Sequence, residues 1–447
     1  MSDEWLTMTA ADLGRAIGAG KIDPVDLTDA YLGAIAVHEF AGRIYARLTP
    51  DRARAEAKEA AARARSGARL SPLDGVPISW KDLFDTAGVA TEAGSALLKG
   101  RVPKQDAAVL QNATNAGLVC LGKTHMTELA FSGLGYNPVT ASPPCVNDHA
   151  GVSGGSSSGA ATSVAFGLAS CGIGSDTGGS VRVPSVWNDL VGLKTTAGRL
   201  PLTGVVPLCP RFDTVGPLCR SVEDAALMLA ALEGGTPAAL SGATLVGTRL
   251  MVLTTVAMDD LREQPRAGFE SAVDRLQAAG AVVERRDVPV VAGAMDLSGI
   301  LFATEAYGTW KHLIEEHPEV MFAEVRERFR SGGAYSGADY VAAWQKLEAH
   351  RAEYLEATAD FDAVILPTCP IMPPNLERLG ADSKYFVSEN LMTLRNTRVG
   401  NLMGLAGLTL PTGLPSTGIM FLAPPGGEER LLRLGAAAEA ALAQMPQ

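Results

Sequence analysis

A chain of 447 residues with 47% apolar side chains is long and apolar enough to bury a large core, which excludes a disordered polymer. With 38 Lys+Arg against 49 Asp+Glu, the formal net charge of −11 offers no global positive field to a phosphate backbone, so no nucleic-acid partner is expected. The six cysteines, at 120, 145, 171, 209, 219 and 369, contain no CxxC pair and are too sparse for a disulfide framework, so reduced thiols and a cytoplasmic location are expected.

Met1–Gly20 mixes Asp3, Glu4, Asp12 and Arg15 with apolar residues and lacks the basic and apolar regions of a secretion signal. Thr9 can cap a first helix with Leu13, Ala16 and Ile17 on one face, and Asp23-Pro24 opens a second through Leu27, Tyr31 and Ile35. A third helix, Asp51–Ser66, alternates Arg and Glu among alanines and reads as a solvated face. From Leu73 onward, short apolar runs alternate with helical ones: Val76–Trp80, Ala107–Ala116, Leu118–Gly122. Further on, strand Arg249–Thr255, helix Arg266–Ala279 and strand Ala281–Arg286 form a βαβ pattern. A mostly helical insertion over 293–360 precedes a return to the sheet at Ala363–Leu366. Two long uncharged stretches, Gly151–Ser175 and Val399–Gly427, are broken by Gly, Ser, Thr or Pro, so no membrane span is expected. One large α/β body with appended helices accounts for the whole pattern.

Composition is most biased at 151–180, with nine Gly and eight Ser in thirty residues and Asp176 as the only charge. Glycine-rich loops let a ligand approach backbone N–H groups, and a serine on such a loop can meet a carbonyl while those groups face the oxyanion. A flexible linker is disfavoured because apolar Ala160–Ala169 follows at once. A Walker loop is excluded because Ala160 stands where its lysine belongs. Gly155-Ser156-Ser157-Ser158-Gly159 fits a nucleophile elbow centred on Ser157, but the required preceding strand is replaced by Asn147, Asp148, His149 and Gly151. For a base, His125 and His149 are open candidates, while His312 and His317 lie five apart and form no metal pair. The other candidate is Lys81, which ends the apolar run from Val76, where burial would lower its pKa enough to leave a neutral amine.

Four blocks then resemble the amidase signature family: Gly-Val-Pro-Ile-x-x-Lys-Asp at 75–82, Gly-Lys-Thr-x-Met-x-Glu-Leu-Ala at 122–130, Gly-Gly-Ser-Ser-Ser-Gly at 154–159, and Asp-Thr-Gly-Gly-Ser-Val-Arg-Val-Pro at 176–184. Leu190–Thr195, Arg211–Leu218 and Phe361–Pro370 extend the match over nearly the whole chain. The resemblance implies a single large mixed β-sheet flanked by helices on both faces, with residues 1–66 as a helical segment packed on the core and 67–447 as the α/β domain. It implies a Ser-cisSer-Lys set: Lys81 as base, Ser156 as the bridging serine after a cis peptide bond, and Ser180 as nucleophile. The N–H groups of Thr177, Gly178, Gly179 and Ser180 would form the oxyanion hole, and Asp176 and Arg182 fit an ion pair that braces this loop or is purely structural. No cofactor and no metal are implied. The chain departs from the family pattern at Trp187-Asn188-Asp189, at Thr195-Thr196, and over 136–150 around Cys145 and His149.

The expected activity is therefore hydrolysis of a small amide or urea-like substrate through a serine acyl-enzyme. Two alternatives stand beside it: the glutamine-dependent amidotransferase A subunit, which supplies ammonia to a partner, and a non-catalytic member of a complex. A homodimer is compatible with the free-standing hydrolase. By position, the mouth of the site is expected from Met126, Phe131, Tyr136–His149, Trp187 and 396–405, in which only Asp148 and Arg398 are charged. Such a lining suits a largely neutral substrate. Arg398 stands against that expectation as a candidate carboxylate clamp, unless it is a surface cation on a loop.

Overall fold

The computed structural model describes residues 2–443, so the first residue of the segment 1–66 and the last four of 67–447 lie outside the described residues. The first helices form where the caps are encoded. Thr9 Oγ1 accepts from the Asp12 N–H (3.0 Å) and starts Ala10–Gly18, which buries Leu13 and Ile17 and leaves Ala16 half-buried. Asp23 Oδ1 accepts from the Val25 N–H (2.8 Å), and Pro24 opens Pro24–Val37 with Leu27, Tyr31 and Ile35 inside. Helix Pro50–Ser66 buries Ala53, Ala57, Ala60 and Ala61. Its cations are less solvated than expected, because Arg52 pairs with Glu56 and Asp106, and Arg63 with Asp74. The N-terminal helices are tied to the body by the Ala11 N–H, which donates to Asp224 Oδ1 (2.8 Å).

The strands are β1 Tyr45–Leu48, β2 Pro77–Lys81, β3 Val119–Thr124, β4 Cys171–Asp176, β5 Val191–Lys194, β6 Thr214–Cys219, β7 Arg249–Leu253, β8 Val282–Arg286, β9 Ala363–Pro367, β10 Ala406–Pro411 and β11 Gly418–Ala423. They form one mixed sheet of order β1-β3-β2-β4-β6-β5-β10-β11-β9-β7-β8. β3, β2 and β4 run parallel, as do β9, β7 and β8, and the block between them is antiparallel. β2, β3, β4 and β6 are buried at every position, as strands covered on both faces must be. β7, helix Glu263–Ala278 and β8 form the βαβ unit expected from the sequence. Edge strand β8 is instead half-exposed and carries Glu284, Arg285 and Arg286, charges that discourage edge pairing.

Two features place the glycine-rich region. β2 and β4 are adjacent and parallel with Trp80 opposite Ile173, so Lys81 and Ser175 emerge at the same carboxyl edge. Helix Ser158–Ala165 lies directly on β4, and a Cβ at Gly172 would come within 2.5 Å of the Ala160 carbonyl oxygen. A side chain there would lift the helix and the serine loop before it away from the strand.

The insertion consists mainly of helices Val290–Asp296, Ser298–Glu316, Ala323–Arg330 and Gly337–Thr358. Val290–Glu316 is long and apolar enough, by composition, to cross a membrane. In the fold it is two helices, and the second buries Leu301, Phe302, Ala306, Trp310 and Ile314. The insertion is fastened to the core by Glu128, whose carboxylate accepts from the Phe322 N–H (2.9 Å) and from Ser95 Oγ (2.8 Å).

Candidate active site

Lys81 is wholly buried at the end of β2, with Nζ 2.7 Å from Ser156 Oγ and 2.8 Å from Ser175 Oγ. Burial pushes the ammonium pKa down to about 7, against the opposing pull of Asp176 and Asp213. A substantial fraction of neutral amine at neutral pH follows. The Gly155–Ser156 peptide is cis. The Gly155 N–H donates to the Gly133 carbonyl (2.8 Å), and the Ser156 carbonyl accepts from the Thr127 N–H (3.1 Å). Ser175, which sequence reasoning missed, is the second hydroxyl on the amine; its signal was its place at the carboxyl edge of a strand parallel to β2.

Ser180 follows the β4 terminus on the loop Thr177–Ser180 and opens onto a cavity. Among the described residues, its Oγ makes no hydrogen bond. Asp176 organises the loop: Oδ1 accepts from the Gly179 N–H (2.8 Å) and Oδ2 from the Val181 N–H (3.2 Å). Arg182 meets the same carboxylate through Nε and Nη2, both at 2.9 Å, and Asn401 Nδ2 adds a further donor at 2.9 Å. Burial alone would raise the Asp176 pKa, but Arg182, Lys194 and Asn401 outweigh it and hold the carboxyl well below the usual range. On the other side, Asp213 accepts from Thr177 Oγ1 (2.5 Å). Thr397 Oγ1 donates to the Gly178 carbonyl (2.7 Å).

Of the four amides expected as an oxyanion hole, Gly179 is therefore committed to Asp176. The Thr177, Gly178 and Ser180 N–H groups make no hydrogen bond among the described residues and remain as donors. Gly179 serves the loop in another way. Its φ is +137°, and a Cβ would lie 2.1 Å from Thr397 Oγ1, so no other residue fits between loop and helix.

The cavity at Ser180 is narrow and open at its mouth. Phe131, Leu208, Phe302, Leu394, Arg328 and Arg398 line it with the loop. Arg398 is thus no surface cation on a loop: it is 7% exposed, in helix Ser383–Leu402, with its Cγ placed over Gly178. The other expected lining residues lie elsewhere. Met126 is in the main core, where its carbonyl accepts from Asn137 Nδ2 (2.8 Å). Trp187, last in the short helix Arg182–Trp187, points into a second cluster with Val186, Ile371 and Leu379, and its Nε1–H donates to the Ile371 carbonyl (3.2 Å). Tyr136 packs edge-on against Phe322 and Phe386. Of the 136–149 segment, Cys145 reaches the Trp187 carbonyl and His149 stacks near Phe40 and Phe166. Chain proximity to the serine loops was misleading for these residues, because none of them lines the Ser180 cavity.

Phe302 and Arg328 come from the mostly helical insertion, to which sequence reasoning assigned no part of the site. Arg328 Nη1 donates to the Phe131 carbonyl (2.9 Å), and its guanidinium covers the Phe131 ring at 4.3 Å. It also borders a larger cavity of about 460 Å³ lined by Glu324, Phe386 and Asn390. Arg398 makes no hydrogen bond or ion pair among the described residues. Burial, and for Arg328 also the charge of Arg398, push both guanidiniums below their usual pKa. Ser157, the elbow candidate, is wholly buried and donates to the Ser175 carbonyl (3.3 Å), away from the cavity.

The arrangement brings together a buried amine in contact with the Ser156 hydroxyl and a loop on which Ser180 opens to a cavity that Thr177 and Gly178 also line, with three loop N–H groups unspent. The amidase family profile matches residues 26–432. The chain is similar to a 2-amino-5-chloromuconic acid deaminase of Comamonas testosteroni, 35% identical over 98% of both chains. It is similar to the glutamyl-tRNA(Gln) amidotransferase A subunit of Anaeromyxobacter dehalogenans, 32% identical over 97% of this chain and 96% of that one. Among solved structures, a crystal structure of an amidase superposes with a TM-score of 0.87 at 29% identity, covering 97% of this chain and 99% of the other.

Proposed function

The chain belongs to the amidase signature family and is a hydrolase of carbon–nitrogen bonds, and on that premise we propose that it cleaves a small amide through an acyl-enzyme on Ser180. The observation that carries the proposal is the buried Lys81 amine 2.7 Å from Ser156 Oγ, on the loop that opens helix Ser158–Ala165. In the attack, Ser180 Oγ bonds to the amide carbon, and its proton passes to Ser156 as the Ser156 proton passes to Lys81 Nζ. The carbonyl oxygen becomes an oxyanion facing the Thr177, Gly178 and Ser180 N–H groups. Collapse breaks the C–N bond, and the proton held by Lys81 returns through Ser156 to the leaving nitrogen. Water then attacks the ester carbon as its proton passes through Ser156 to Lys81, and collapse breaks the bond to Ser180 Oγ, which takes that proton back through Ser156 as the acid leaves. Ser175 Oγ, the amine's other neighbour, takes an N–H of Lys81 and leaves the nitrogen lone pair for Ser156.

Lys81→Ala, Ser156→Ala and Ser180→Ala test the relay against a simple amide. Each is expected to lower kcat about 10²–10⁴-fold. Near-normal turnover in Lys81→Ala, with loss in His125→Ala, overturns the assignment.

A second reading is favoured by the 32% identity to a chain named as part of a glutamyl-tRNA(Gln) amidotransferase. In it, the same chemistry releases ammonia from glutamine for a partner. Ammonia release by the purified chain alone separates the two, since a dependent chain gains activity only with its partner. A cytoplasmic setting for either is supported by the six cysteines, all unbridged.

A further inference from the structure

Arg398 and Arg328 enter the Ser180 cavity from two different elements, helix Ser383–Leu402 and the insertion helix Ala323–Arg330. Among the described residues, no Asp or Glu lines that cavity with them. Arg398 has no hydrogen-bond partner there, and Arg328 spends one N–H on the Phe131 carbonyl. Two like charges so placed repel one another and have lost part of their hydration. By contrast, Arg182 is matched with Asp176, Arg63 with Asp74 and Arg52 with Asp106. The unmatched pair sits beside the reactive serine.

We infer that the amide cleaved by this chain carries a carboxylate, gripped by Arg398 and Arg328 while Ser180 meets the amide carbonyl. The inference rests on the reading of Ser180 as nucleophile and names the substrate class for that site. A guanidinium presents parallel N–H donors that match a carboxylate's two oxygens, and two of them fix both its position and its plane. The cavity is small and its other walls are apolar at Leu208, Phe302 and Leu394, so the arm between carboxylate and amide is short. A substrate that also carries an ammonium, as glutamine does, brings a third positive charge to a cavity with no acid to meet it. The site therefore favours short amides whose only charge is the carboxylate. The carboxylate has two sources: the acyl part, as in succinamate, or the leaving amine, as in N-acetylglycine.

The test compares succinamate, N-acetylglycine, neutral butyramide and L-glutamine with the purified full-length enzyme, following release of the acid or amine product. One carboxylate amide is expected to exceed butyramide in kcat/KM by about 100-fold and glutamine by about tenfold, and whichever of the two wins identifies the source. In Arg398→Met, which keeps the stem of the side chain, the carboxylate-to-butyramide ratio is expected to fall at least about tenfold, and Arg398→Lys to restore it only in part. Equal or better turnover of butyramide or glutamine overturns the inference. A binding measurement needs no chemistry: calorimetry of succinate with Ser180→Ala is expected to show at least about tenfold weaker affinity once Arg398→Met is added. Unchanged affinity overturns the carboxylate site. Arginine-dependent succinate binding without turnover of any of the four amides supports the site and counts against the hydrolytic assignment of Ser180.

Discussion

Lys81 Nζ and Ser156 Oγ stand 2.7 Å apart, and neither residue has any exposure to solvent. With its pKa pushed down to about 7 by burial, Lys81 is half neutral near pH 7. A base works only when deprotonated, so kcat/KM is expected to rise with pH through about 7 and to fall about tenfold per unit below it. A rate profile on a neutral amide, whose own charge does not change over about pH 5–9, isolates this limb. A limb that stays near 7 in Lys81→Ala assigns it to another group. The same depression from 10.5 makes the folded chain bind fewer protons than the unfolded one between pH 7 and 10.5, so this group adds stability as pH rises across that window.

Asp176 bears on both activity and stability. It pairs with the wholly buried Arg182 and accepts from the Gly179 and Val181 N–H groups of the Ser180 loop. Asp176→Ala leaves a buried guanidinium uncompensated and is expected to cost about 3–5 kcal/mol of stability, together with most of the turnover. Asp176→Leu with Arg182→Met is expected to recover much of the denaturant midpoint but none of the rate. Recovery of both in the double variant contradicts the loop-bracing role.

Gly179 makes a steric prediction. With φ at +137° and Thr397 Oγ1 2.1 Å from the site of a Cβ, Gly179→Ala meets both backbone strain and a collision. Strain of this kind is worth about 1–3 kcal/mol. Adding Thr397→Ala removes the 2.1 Å contact but neither the Cβ of residue 397, 2.7 Å away, nor the strain, so kcat is expected to recover only in part. Full recovery locates the whole effect in the contact.

What the sequence makes legible depends on how far each residue's role reaches. Lys81, Ser156, Ser180, Asp176 and Arg182 are nameable because each lies in a short contiguous motif: Lys81 and Asp176 end strands, Ser180 and Arg182 follow β4, and Ser156 lies on the loop that opens helix Ser158–Ala165. The N-terminal helices are readable from Thr9, Asp23 and Pro24, since caps are local. Met126, Tyr136 and Trp187 are misplaced by sequence reasoning because direction, not chain position, decides which cluster a side chain joins, and Trp187 turns to Ile371. Arg328 is inconspicuous among Arg326 and Arg330 on a charged helix, because only the packing of the insertion against Phe131 brings it to Ser180. Strand β1, four residues long and paired through a register shift to β3, carries too little pattern to be seen.

Glu128 couples the insertion to pH. Burial raises its carboxyl pKa to about 7, with the Phe322 N–H and Ser95 hydroxyl pulling the other way. Because the folded value lies above the ordinary 4.5, its stabilising contribution is complete below pH 4.5 and is lost as pH rises through about 7. Glu128→Gln cannot ionise. The difference in Tm between wild type and this variant is therefore expected to move in favour of the variant as pH is raised from about 4.5 to about 7.5. A difference that does not change over that range contradicts the assigned shift.

The central claim is that Ser180 carries the acyl group. Treatment of the full-length enzyme with a fluorophosphonate, followed by peptide mapping, tests it most directly. A single adduct on Ser180, formed more slowly below about pH 7 and suppressed in Lys81→Ala, is the predicted result. An adduct on Ser157, or labelling of Ser180 at an undiminished rate without Lys81, contradicts it.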